Sequence, residues 1–137
     1  HVPHFNSEVL AAALDQEGIE YRSFKHLGGL RKPLPDSPNA GWRNASFRGF
    51  ADYMQSDAFW SAIAEVVRCA AEKRVALMCA EAVPWRCHRS LIGDALVVIG
   101  HEVRHIISAK DLRLHELTSF AFVQGKRITY PIPGTML

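Results

Sequence analysis

The residues best equipped for chemistry stand in one short stretch, Cys79-Ala-Glu81-Ala-Val-Pro84-Trp85-Arg86-Cys87-His88-Arg89. The apolar run Val75–Cys79 that opens it reads as a strand buried on both faces. The periodicity of Leu91, Ile92, Ala95, Leu96 and Ile99 reads as a helix from about His88 to Ile99, ending at Gly100. Cys79 is therefore expected at the carboxyl end of a strand, with Cys87, His88 and Arg89 at the start of the next helix. Open α/β sheets take up ligands at that junction. A helix start presents unpaired N–H groups and partial positive charge, which favour anions and make a thiolate more accessible. Arg86 and Arg89 add charge-assisted contacts suited to phosphate or carboxylate. Glu81, Cys87 and His88 are the catalytic candidates, and Cys79, Arg86 and Arg89 are candidates for binding the ligand.

Plainer readings compete with these. Cys79 fits a nucleophile, a metal ligand or a small core residue. Glu81 suits a general base, a grip on a ribose hydroxyl, or an ion pair with Arg86 or Arg89. A phosphatase-like loop needs five residues between its cysteine and its arginine; counted from Cys79 that place is Trp85, and Arg86 falls one later. A rhodanese-like persulfide cysteine fits a strand–helix junction, but no further residue supports it. Cys79, Cys87 and His88 are zinc-ligand types, yet no paired two-residue-spaced motif accompanies them, so no metal is assigned. Cys69 lies in an apolar helical pattern and reads as core. His101 and His105, four apart, straddle a strand entry and read as packing or solvent-facing residues.

The elements that must position this stretch are legible around it. A first helix is expected from Asn6, a capping residue, to Gly18, followed by a short strand Ile19–Phe24. Residues 25–50 read as a long ordered loop, broken by Gly28–Gly29, Pro33, Pro35, Pro38 and Gly41. Between Arg22 and Arg48 six Lys/Arg face one acid, Asp36, a surplus larger than the chain's net +2. Trp42, Phe47 and Phe50 interleave with these cations. Arg43, Asn44 and Arg48 are candidates to close over an anionic ligand, or else to order the loop by stacking. A second helix is expected from about Asp57 to Lys73, a strand at Val103–Ile107, and a hairpin from Phe120–Val123 and Arg127–Tyr130. Helix and strand alternate, which predicts an open, mostly parallel Rossmann-like sheet with helices on both faces and a small C-terminal hairpin.

The whole is read as one domain over 137 residues, 48% hydrophobic and 22% charged, which excludes wholesale disorder. The longest purely apolar runs hold six residues, too few to span a membrane. Three cysteines cannot form a disulfide framework, which points to a reducing, cytoplasmic setting.

Several separated motifs carry a family resemblance: Phe5–Asn6, Leu27–Gly28–Gly29, Gly41–Trp42–Arg43–Asn44, Phe47–Arg48–Gly49–Phe50–Ala51–Asp52–Tyr53–Met54, Cys79–Ala–Glu81 and Cys87–His88–Arg89. Together they resemble the bacterial family catalogued as domain of unknown function 488. The resemblance implies a Rossmann-like α/β domain and supplies no reaction. Members of that family usually begin with a strand, a helix and a second strand ending in Asp-Val-Arg. This chain begins after them, at His1, so one or two sheet strands and some site residues are expected to be missing. The edge of Val75–Met78 would then need a cover, either a homodimer or the Phe120–Tyr130 hairpin.

The function expected from these residues is an anion pocket between the Cys79–Arg89 and Gly28–Arg48 loops. Its ligand would be a phosphate-bearing small molecule or nucleotide, and its chemistry thiol- or acid/base-dependent; the cofactor is open. The alternatives are a non-catalytic module binding nucleic acid or protein, and a structural zinc or redox thiol site.

Overall fold

The computed structural model describes residues 7–79 and 87–134. Glu81 and Arg86, together with the Phe5–Asn6 start of the first helix, lie outside them. Helix α1, Ser7–Gln16, ends where Gly18 takes a φ of +73° and the Ile19 N–H bonds back to the Leu14 carbonyl at 2.9 Å. None of its residues is buried, so its apolar stripe adds nothing to the core. Residues 19–24 run on without a strand partner among the described residues. They are strapped to helix α3, Asp57–Glu72, and the residue after it. Arg22 meets Glu65 at 3.1 Å and the Cys69 sulfur at 3.0 Å, and Lys73 meets Glu20 at 2.9 Å. Cys69 is half-buried and bonded to this arginine, which corrects its reading as a core residue.

The expected loop 25–50 contains two pieces of helix. Lys25–Leu27 makes one 3-10 turn, and helix α2 runs over Ala45–Tyr53. Phe47, Phe50, Ala51 and Met54 do recur at helical spacing, but Gly49 in their midst reads as a breaker. It is there for another reason: a Cβ at Gly49 would run into the Arg31 carbonyl group. The rest of the loop is held by polar bonds. The Asp52 carboxylate accepts from the Leu34 N–H (2.8 Å), the Ser37 hydroxyl (2.6 Å) and the Asn39 amide (2.7 Å). Asn39, fully buried, accepts in turn from the Tyr130 N–H at 2.8 Å. Trp42 packs edge-on against Phe47 and Phe120, with ring centroids at 5.1 and 4.8 Å.

Helix α3 starts on the cap Ser56, whose hydroxyl accepts from the Phe59 N–H at 3.2 Å. Helix α4, Arg89–Val98, leaves through Gly100 at φ +96°. The core lies where α2, α3 and α4 meet, around Phe50, Phe59, Ile63 and Leu91, and is completed by Ile128 and Tyr130.

This is a mixed α/β chain. Among the described residues its strands form two separate antiparallel pairs. One joins β1, Arg104–Ser108, to β2, Asp111–Leu114, with Ile106 opposite Leu112. The other joins β3, Phe122–Gln124, to β4, Arg127–Thr129, across a two-residue turn with Gly125 at φ +62°. No parallel pairing forms there. Val75–Cys79 was expected as a strand buried on both faces. Among the described residues it pairs with no strand, and its Val75–Met78 part is open to solvent, Val75 at 43% and Met78 at 54% exposure. Its residues have the apolarity of a central strand, but none of the described strands lies beside them. The terminal hairpin pairs only with itself and does not cover this edge.

Candidate thiol site at the start of helix α4

Cys87 and His88 precede the first turn of α4, and Cys79 is brought to them from the end of the Val75–Cys79 segment. The two sulfurs are 2.8 Å apart. Cys87 is 5% exposed, and its sulfur accepts from the Arg89 N–H at 3.4 Å, one of the four N–H groups that a helix start leaves unpaired. Its carbonyl accepts from the Ser90 N–H and hydroxyl, both at 3.1 Å, which fixes the turn around it.

His88 is held from three sides. Its Nε2 lies 2.8 Å from the Leu27 carbonyl oxygen, and since that oxygen can only accept, Nε2 carries the hydrogen. Nδ1 therefore faces the Cys87 sulfur at 3.6 Å, either accepting S–H or, once protonated, donating to the thiolate. The Phe50 ring packs on the imidazole with centroids 4.8 Å apart. Gly29 leaves it room, because a Cβ there would come within 3.1 Å of Nδ1. The Leu27 carbonyl, the imidazole and the Cys87 thiol thus form one continuous chain of polar contacts.

The electrostatics follow from these contacts. Burial pushes the Cys87 thiol up, but the bonds from His88, from Cys79 and from the backbone and side chain of Arg89 outweigh it, and the thiol falls from 9.0 to about 6.

The other candidates are placed differently. Asn44 caps α2, its side-chain oxygen accepting from the Ser46 and Phe47 N–H groups at 2.8 and 3.2 Å. Arg48 donates to the carbonyls of Trp42 (3.0 Å) and Arg43 (3.3 Å), and Arg43 itself is exposed. No described hydrogen bond joins these three to Cys87 or His88. The part of the loop that does reach the thiol site is Leu27–Gly29. Beside it an open cleft of about 440 Å³ lies between residues 22–26 and α3, with Arg22, Lys25, Arg68 and Glu65 on its walls. Among the described residues no group of three or more His, Cys, Asp or Glu side chains is arranged to hold a metal ion.

A second polar cluster, one turn along α4, escaped the sequence reading. Asp94 is fully buried and accepts from His115 Nε2 (2.8 Å), the Thr118 N–H (3.0 Å) and the Tyr130 hydroxyl (2.7 Å). His115 Nδ1 lies 2.7 Å from His105 Nε2, the two ring nitrogens sharing one hydrogen. Three donors thus converge on the two oxygens of the Asp94 carboxylate. Burial, His115 and the charge of Arg89 lower the pKa of His105, against the opposing pull of Asp94. A lone acid in the apolar run Leu91–Leu96 was the available signal, since a buried charge demands partners. His101, the residue paired with His105 by spacing, is exposed and takes no part.

The model of the family described as Domain of unknown function DUF488 matches residues 1–96. No curated protein and no solved structure matches the chain.

Proposed function

The chain belongs to the DUF488 family, and for this member we propose a thiol-dependent activity in which Cys87 is the nucleophile and His88 its proton acceptor. The observation that carries the reading is the Leu27 carbonyl–His88–Cys87 chain at the start of α4. The ligand class is a small anion, phosphate-bearing or nucleotide-like, drawn by the helix start and by Arg89. Glu81, a few positions before Cys87 in sequence, and Arg86, next to it, are the further proton-transfer and anion-binding groups of this reading. An extended Val75–Cys79 leading to α4 is also what a strand of a Rossmann-like parallel sheet would supply, and thiols kept reduced belong in the cytoplasm. A nucleic-acid module is less well supported. Arg48 is engaged by loop carbonyls, and Arg31 lies over the Tyr53 ring at 3.7 Å with its Nε on the Gly28 carbonyl.

Anion preference gives the test. Iodoacetate and iodoacetamide place the same leaving group on similar carbons but differ in charge. Cys87 should react with iodoacetate relatively faster than glutathione does, and inorganic phosphate or a nucleoside monophosphate should slow the reaction. Peptide mapping that finds Cys87 inert while Cys69 is labelled would overturn the reading.

A further inference from the structure

We infer that Cys79 and Cys87 form a dithiol couple that exchanges with disulfide substrates, Cys87 attacking and Cys79 resolving. The inference rests on the nucleophilic role of Cys87 proposed above and adds a second sulfur, a substrate class and an outcome. Its basis is geometric. The two sulfurs are hydrogen-bonded at 2.8 Å across eight positions of sequence, inside the separation at which a reacting pair is already placed for attack. Closing them to a bond requires a further approach to about 2.05 Å. Cys87 is buried and in contact with the imidazole and the Arg89 N–H, whereas Cys79 is half-buried at the end of an open segment, so the two thiols are unequal. That asymmetry suits an attacking thiol and a resolving one.

The exchange balances in two steps. The Cys87 thiolate attacks one sulfur of a substrate RS–SR; a Cys87–SR mixed disulfide forms and one RS⁻ leaves, taking the proton that His88 had accepted from Cys87. Cys79 then attacks the Cys87 sulfur, the Cys79–Cys87 bond forms, and the second RS⁻ leaves with the proton of Cys79. Two electrons pass from the dithiol to the substrate, which is released as two thiols. Glutathione disulfide is a suitable probe, because its carboxylates match the anion preference of the helix start.

The experiment uses the reduced full chain, incubated anaerobically with glutathione disulfide, quenched in acid and mapped by mass spectrometry. The expected product is the Cys79–Cys87 disulfide with no lasting glutathione adduct. In Cys79→Ser the adduct on Cys87 should persist, its lifetime lengthened on the order of 100-fold by the loss of an intramolecular attacker. A lasting adduct on Cys87 of the unaltered chain, with Cys79 still a thiol, would overturn the couple and leave the nucleophile standing. So would no exchange at all in a protein whose Cys87 still alkylates. Inertness of Cys87 to both reagents would remove both readings. Because the unaltered chain gives a result by itself, the test survives a variant that fails to fold.

Discussion

The pH dependence of Cys87 alkylation puts the site to its most direct test. A thiol lowered from 9.0 to about 6 is about half ionised at pH 6 and almost fully ionised at pH 8. An ordinary thiol at 9.0 is about 0.1% ionised at pH 6 and about 9% at pH 8. The rate with iodoacetamide should therefore rise only about twofold between pH 6 and pH 8 for Cys87, against roughly 90-fold for the ordinary thiol. Lower basicity also weakens the nucleophile; with a Brønsted slope near 0.45, three pKa units remove about 20-fold in intrinsic reactivity. Burial of Cys87 slows both measurements alike, so it cancels in the ratio. Peptide-resolved labelling in a short time course gives that ratio directly. His88→Gln removes one of the bonds that lower the thiol, and the ratio should climb toward that of free cysteine. A ratio near 90 in the unaltered protein would refute the argument, whatever the absolute rates.

Four further outcomes are expected. Asp94→Ala should destabilise by about 3–5 kcal/mol in urea titration, because it strands the His115 and Thr118 N–H groups and the buried Tyr130 hydroxyl. His105, whose pKa in the folded chain lies below the usual 6.5, contributes stability that is fully present above pH 6.5 and is lost as pH falls through its lowered value; His105→Gln should flatten that part of the urea-midpoint profile. Gly29→Ala should leave the fold intact yet displace the His88 ring, seen as an upward shift of the Cys87 alkylation midpoint with an unchanged circular-dichroism spectrum. The exposed Val75–Met78 edge should drive self-association, so that light scattering shows a dimer that Val75→Lys weakens; a monomer at high concentration would show that the edge tolerates solvent.

Helices α3 and α4 and the terminal hairpin were legible because each carries its own punctuation: the Ser56 cap, Gly100 at φ +96° and Gly125 at φ +62°. The thiol site was half legible. Cys87 at a helix start followed from periodicity alone, while the Leu27 carbonyl behind His88 lies 61 residues away and leaves no local pattern. Helix α2 was hidden by Gly49, whose use is a close approach to the Arg31 carbonyl group rather than a chain break. The Val75–Cys79 segment misled for the opposite reason. Apolarity identifies a segment that wants burial, and pairing depends on a neighbour that local sequence does not describe.

Helix α4 joins the two polar clusters and so connects residues beyond the family-matched region to the thiol site. Its start holds Cys87 and Arg89, and the next turn holds Gly93 and Asp94. Gly93 lets the His115 ring lie against the helix, since a Cβ would sit 3.0 Å from it. His115 and Tyr130, both past residue 96, then fix Asp94 through charge-assisted bonds in the buried core. A charged group so placed admits few alternative arrangements, because any shift of α4 along its axis would leave the carboxylate unpaired. The helix start is thereby held against the Leu27 carbonyl and the Phe50 ring that set His88. The Cys87 thiol is held by contacts of a few ångströms, but the constancy of those contacts rests on a buried carboxylate about two turns away and on the C-terminal residues that satisfy it.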